Sequence, residues 1–109
     1  MTLYHKDLAE RWKSFSLYEQ LGNVGSEVSR ALNWQEKQNP KRSITAYERA
    51  LELMDFTLDD PKNRTRAKEL CRLRESLVDY FQGDNEFGST PDLMRRYFDF
   101  FALAARGNR

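Results

Sequence analysis

The chain has 109 residues, 39% of them apolar and 13% aromatic, which is the length of one domain and too much large apolar surface for a disordered chain. Eighteen basic residues against 17 acidic leave a formal charge of +1. That excludes a global pull toward nucleic acid or anionic lipid, so any such binding needs a local patch. The single cysteine, Cys71, excludes an internal disulfide and a cysteine-based metal cage, and at an apolar helical position we expect it buried as a small hydrophobe.

The first segment, residues 4–37, reads as helix with an apolar face that moves. At ~100° per residue, Tyr4, Leu8, Trp12, Phe15 and Tyr18 share one face. Leu17, Leu21, Val24, Val28, Ala31 and Leu32 share another, turned away by roughly 130°. Gly22, Gly25, Ser26 and Ser29 continue the first face with almost no side chain. Each glycine costs ~1 kcal/mol relative to alanine in a helix, so something must offset it. The run has no proline and no polar loop cluster, which favours one long helix of ~50 Å with a packing seam at its small residues. A kink between Gly22 and Gly25 is the alternative.

Three later helix starts follow one pattern. Asn39-Pro40, Asp60-Pro61 and Thr90-Pro91 each pair a capping side chain with proline at the first helical position, where its missing amide loses nothing. The second helix carries Ile44, Tyr47, Leu51, Met54 and Leu58. The third carries Ala67, Leu70, Cys71, Leu77, Val78 and Phe81 and stops at Gly83. The fourth carries Leu93, Met94, Tyr97, Phe98, Phe101, Ala104 and Ala105 and stops at Gly107. Both glycines are placed to supply left-handed caps. The one substantial loop is residues 83–90, with Phe87 at its centre, and no stretch alternates at period two long enough for a strand.

These elements predict an all-α fold, with residues 1–109 forming a single antiparallel four-helix bundle around one core. A first helix longer than its partners would project beyond the bundle and leave Leu8, Trp12 and Phe15 partly exposed. Exposed aromatic patches mark interfaces, so the expectation is a homo-oligomer, a dimer first, joined through that end. The alternative is that the fourth helix, rich in Phe98, Phe100 and Phe101, covers it within the chain. The start of the chain lacks an apolar h-region and no apolar run approaches ~20 residues, which predicts a soluble, cytoplasmic protein without a membrane span.

Most site chemistry is excluded by counts. The single His5 gives little support to a nucleophilic triad. There is no Glu-x-x-His pair for a di-metal bundle site, and zinc ligation by Cys and His fails on numbers. No cofactor, metal site or catalytic residue is expected. An acidic row, Glu48, Glu52, Asp55 and Asp59, runs along the second helix. A basic set, Arg64, Arg66, Lys68, Arg72 and Arg74, runs along the third. The acidic row could hold a divalent ion and the basic one could track phosphates. Two solvated faces complementing each other across a helix pair is the ordinary reading. A sharper constellation is Asn23, Glu27, Arg30 and Trp34, spaced 4,3,4 opposite Leu21 and Val28. Glu27 and Arg30 can pair within the helix, and a tryptophan on a polar face is the kind of residue binding hot spots use.

With those residues placed, the stretch from Asn23 to Met54, with Asn23, Glu27 and Arg30 preceding a second amphipathic helix, resembles small prokaryotic four-helix-bundle proteins. These are the intervening-sequence bundle proteins encoded within ribosomal RNA genes and the HEPN-like helical partners of minimal nucleotidyltransferases. The likeness spans about a third of the chain. No His follows any Arg here, so the resemblance implies a bundle that assembles with itself or a partner protein and does not imply nuclease activity. The resulting expectation is a non-enzymatic, self-associating interaction module. A nucleic-acid-binding bundle using the basic third helix is the alternative, and an enzyme built on Glu27 and Arg30 is a third reading.

Overall fold

A computed structural model describes residues 8–107; Tyr4 and His5 lie outside the described residues. Among the described residues there are five α-helices and no strand: α1 Leu8–Arg11, α2 Leu17–Glu36, α3 Pro40–Asp59, α4 Ala67–Phe81 and α5 Pro91–Gly107. The protein is all-α. Trp12–Ser14 and Pro61–Arg66 form tighter 3-10 segments.

The expected long first helix is divided, and the division is not at the glycines. After α1 and its 3-10 turn, Phe15 is extended and α2 begins afresh behind Ser16. A capping box causes this. Ser16 Oγ accepts the Glu19 amide at 3.1 Å, and Glu19 Oε1 accepts the Ser16 amide at 2.9 Å. Two otherwise orphaned donors are satisfied reciprocally, so starting a new helix here costs little. The change of apolar face along the sequence is the trace of this break.

α2 then runs as one helix through both glycines, because α5 crosses them. A Cβ on Gly25 would stand 2.5 Å from Phe98 Cβ, and one on Gly22 would stand 3.4 Å from Ala102 Cα. The expected packing seam is present, and its partner is α5.

The caps match the sequence in part. Asn39 Oδ1 accepts the Arg42 amide at 3.1 Å and Thr90 Oγ1 accepts the Leu93 amide at 3.2 Å. Asp60 caps its proline too, through the Lys62 amide at 3.2 Å, but the six residues that follow are 3-10 and α4 starts only at Ala67. Gly83 is not left-handed. The positive φ values fall on Asn85 and Gly88 in the loop and on Gln38 between α2 and α3. Gly107 is the last residue of α5 rather than the first beyond it. At the α2 end, the Asn39 amide reaches Trp34 O at 2.9 Å and the Gln38 amide reaches Gln35 O at 3.0 Å. This is a Schellman turn closed by a glutamine, with φ of 58° where glycine is usual.

α2 packs along both α3 and α5, and α4 packs on α3. The core is built from Leu21, Val24, Val28 and Leu32 of α2, Tyr47, Leu53 and Met54 of α3, Leu70 and Leu77 of α4, and Met94, Phe98 and Phe101 of α5. Between α4 and α5 lies an open apolar groove of about 320 Å³, lined by Leu73, Leu77, Phe87, Leu93, Tyr97 and Phe98. Several expected core residues are outside, Leu93 and Tyr97 of α5 among them. Ile44 is exposed because α3 turns its Ser43, Ala46, Tyr47 and Ala50 face to α2, and Cys71 is exposed because α4 buries only Leu70 and Leu77. No helix among the described residues is long and apolar enough to cross a membrane.

Candidate functional site

Of the predicted constellation, Glu27, Arg30 and Trp34 come together and Asn23 does not join them. Asn23 is exposed and its amide donates to Glu19 O at 2.8 Å, one turn back in its own helix. Glu27 is 7% exposed, and its Oε1 accepts Arg30 Nη1 at 2.7 Å. Its Oε2 is buried with no hydrogen-bond partner among the described residues. Arg30 reaches outward from that pair, its side chain 61% exposed.

Trp34, one turn beyond Arg30, is half-buried on the wall of a cleft between the end of α2 and the start of α3. The cleft measures about 420 Å³ and is lined by Arg30, Trp34, Lys41, Arg42, Thr45 and Arg49. The Arg42 guanidinium lies 4.7 Å from the Trp34 ring centroid and Lys37 Nζ lies 5.2 Å from it. These cations interact with the negative face of the indole. Lys41, Arg42 and Arg49 were missed in the sequence reading because they sit across the interhelix turn. A signal was present: the first turn of α3 has no acidic residue, and Lys41 and Arg42 stand there against the positive end of the helix dipole.

Of the residues expected at an oligomer interface, Trp12 lies inside the chain. Trp12 is 1% exposed, with Leu8 and Phe15 half-buried against the same core. Phe15 and Phe56 meet the indole edge-on at 5.5 and 6.3 Å between centroids, and Nε1 donates to Thr57 Oγ1 at 3.0 Å. The end of α3 supplies the Phe56 and Thr57 contacts, and Phe101 of α5, the fourth predicted helix, stacks on Tyr18 at the end of the aromatic stripe with centroids 6.0 Å apart. The aromatic stripe does not project, because the Ser16 box ends α1's segment and turns it back onto the core.

A buried polar cluster pins this corner. Gln20 Nε2 donates to Trp12 O at 3.0 Å and to Asp60 Oδ2 at 2.9 Å. Asn63 Nδ2 donates to Gln20 Oε1 at 2.8 Å and to Thr57 O at 2.9 Å. Lys62 Nζ pairs with Asp60 and reaches Lys13 O at 3.0 Å. Burial alone would raise the Asp60 carboxyl, but donation from the Lys62 ammonium, the Gln20 amide and the Lys62 backbone outweighs it and holds the group below the ordinary carboxylate range.

The five basic residues near α4 do not form one stripe. Arg64 falls in the 3-10 segment, out of helical phase with Lys68 and Arg72. Arg66 is bidentate to Glu69 at 3.0 and 3.2 Å, and Arg74 reaches across to Asp55 of α3 at 2.8 Å. Arg72 lies over the Phe87 ring at 5.2 Å. The Arg74–Asp55 pair is one link of the expected complementarity between the acidic and basic faces. Among the described residues no cluster of His, Cys, Asp and Glu could hold a metal ion.

The unpredicted feature is α5. Its Met94, Phe98, Phe101 and Ala105, spaced 4,3,4, face inward, with the first three buried. A second series with the same spacing, Leu93, Tyr97, Phe100 and Ala104, lies next to the first, with Leu93 and Tyr97 on the wall of the α4 groove and Phe100 exposed. Leu93 is 56% exposed, Phe100 61%, and the neighbouring Leu103 62%. Comparison with protein-family models, with curated proteins and with solved structures returns no match.

Proposed function

We propose that this protein is a non-enzymatic helical interaction module of the cytoplasm that self-associates as a dimer through α5. The observation that carries this reading is the second apolar seam of that helix. One seam binds α5 to its own α2; the other repeats the heptad spacing of a helix–helix contact, with Leu93 and Tyr97 beside the α4 groove and Phe100 61% exposed. Leu93, Phe100 and Leu103 are each more than half exposed, and exposed apolar patches on a small domain mark interfaces. We read α2 to α5 as an antiparallel four-helix bundle that presents this seam.

The occupant we assign is a second copy of the chain. A two-fold axis across Leu93, Phe100 and Leu103 would set the same apolar surface of each copy against the other, an isologous contact that is self-complementary. The likeness of residues 23–54 to small self-assembling bundle proteins agrees with this reading.

Sedimentation velocity tests it. The expected result is a dimer that Phe100→Glu dissociates and that Leu103→Glu weakens. A monomer at high micromolar concentration, or a dimer indifferent to Phe100→Glu, would overturn the proposal.

A further inference from the structure

We infer that the Trp34 cleft is a second, separate site that binds a nucleotide: a base stacked on the indole, with its phosphate held by Lys41, Arg42, Arg30 and Arg49. The inference is independent of the dimer, since α5 does not line this cleft.

Four observations converge. The cleft volume, about 420 Å³, lies within the range of roughly 300–1,000 Å³ typical of small-molecule sites. Four of its lining residues are cationic, in a chain whose formal charge is only +1. Lys41 and Arg42 occupy the first turn of α3, where the helix dipole disfavours cations, and an anion bound there would relieve both the mutual repulsion and the dipole. Finally, the one aromatic ring in the cleft already carries a cation over its face.

The ring contact explains how the site would change on binding. An exposed cation–π contact is weaker than base–aromatic stacking in a nucleic-acid site. When a phosphate arrives, the Arg42 guanidinium swings from the indole to the phosphate oxygens, which it can grip bidentately. With Lys37, the second cation over the ring, displaced as well, the indole takes the base. Arg30 is aimed by its bond to Glu27 Oε1, so the buried carboxylate fixes one phosphate ligand in place.

A mononucleotide and a single strand share this chemistry, and one titration separates them. Trp34 reports directly, because Trp12 is enclosed in the core. Adenosine 5′-monophosphate and an oligoadenylate decamer are added separately to the wild-type protein, and the emission is followed. The expected result is quenching that is lost in Trp34→Phe, that needs about tenfold more ligand in Arg42→Glu or Lys41→Glu, and that weakens roughly tenfold between 50 and 200 mM salt for the decamer. Equal affinity per nucleotide assigns a mononucleotide site, and much tighter binding of the decamer assigns a single-strand site. No change in emission at millimolar nucleotide would overturn the inference. So would quenching that persists undiminished in both charge reversals, or equal quenching by oligoglutamate, which has charge but no base.

Discussion

Phe98 occupies the space in which a side chain on Gly25 would begin: its Cβ stands 2.5 Å from an ideal Cβ on the glycine. The two residues fix how closely α5 can lie on α2. Gly22, one turn earlier, is looser, with Ala102 Cα at 3.4 Å from its ideal Cβ. The two glycines of the seam therefore predict opposite effects.

Gly25→Ala gains ~1 kcal/mol of helix propensity but forces overpacking that costs about 1–3 kcal/mol. We expect a net loss of about 1–2 kcal/mol. Gly22→Ala makes an ordinary contact and should gain up to ~1 kcal/mol. Urea midpoints moving in opposite directions would establish the seam, and two equal losses would refute it.

Trp12 predicts a core phenotype. Trp12→Ala should cost about 3–5 kcal/mol, as for other large buried aromatics. Trp12→Phe should cost about 1–2 kcal/mol, the loss of the Nε1 bond and part of the ring, since Thr57 Oγ1 keeps its own bond to Leu53 O. The same urea titrations read both, and an unchanged midpoint in Trp12→Ala would return this residue to the surface.

Asp60 sets a pH window. Its folded carboxyl titrates below its unfolded value, so its stabilisation is complete above the unfolded value of about 3.9 and is lost as pH falls through the lower folded value. Acid unfolding below about pH 4 should therefore flatten in Asp60→Asn. At pH 7 that variant should lose about 1–2 kcal/mol, less than a fully buried ion pair because Lys62 remains partly in solvent. A stability profile with the wild-type slope would count against this assignment.

Gln38 holds a left-handed backbone with a Cβ in place. Gln38→Gly should raise stability by roughly 0.5–1 kcal/mol, because the native conformation then carries no steric penalty, offset by the extra freedom of the unfolded chain. A lower midpoint would mean that the side chain contributes more than the backbone loses.

The caps at Asn39 and Thr90 were legible because a cap is decided within four residues. The Ser16 box was equally local, written as Ser16 and Glu19, but the aromatic periodicity running across it from Leu8 to Tyr18 read as continuous helix. Burial of Trp12 depends on Thr57 and Phe56, more than forty residues away, and no spacing rule announces such a contact. The cleft was half legible: Arg30 and Trp34 share a helix face, whereas Lys41 and Arg42 join them only once Gln38 has reversed the chain. The apolar pattern of α5 predicts Leu93 and Tyr97 in the core, because one helix's pattern does not say how many neighbours it has.

The longest connection, residues 82–90, is held from its side by one residue of α4. Asp79 Oδ1 accepts the Glu86 amide at 2.8 Å, Oδ2 accepts the Phe87 amide at 3.0 Å, and its backbone oxygen accepts the Asn85 amide at 3.1 Å. Asn85 and Ser89 close the remainder with two reciprocal bonds of 2.9 Å. The segment lacks regular structure yet has little conformational entropy left to surrender. A partner that meets Phe87 and the groove beside it meets a surface already ordered, so association there forfeits little free energy to freezing the loop.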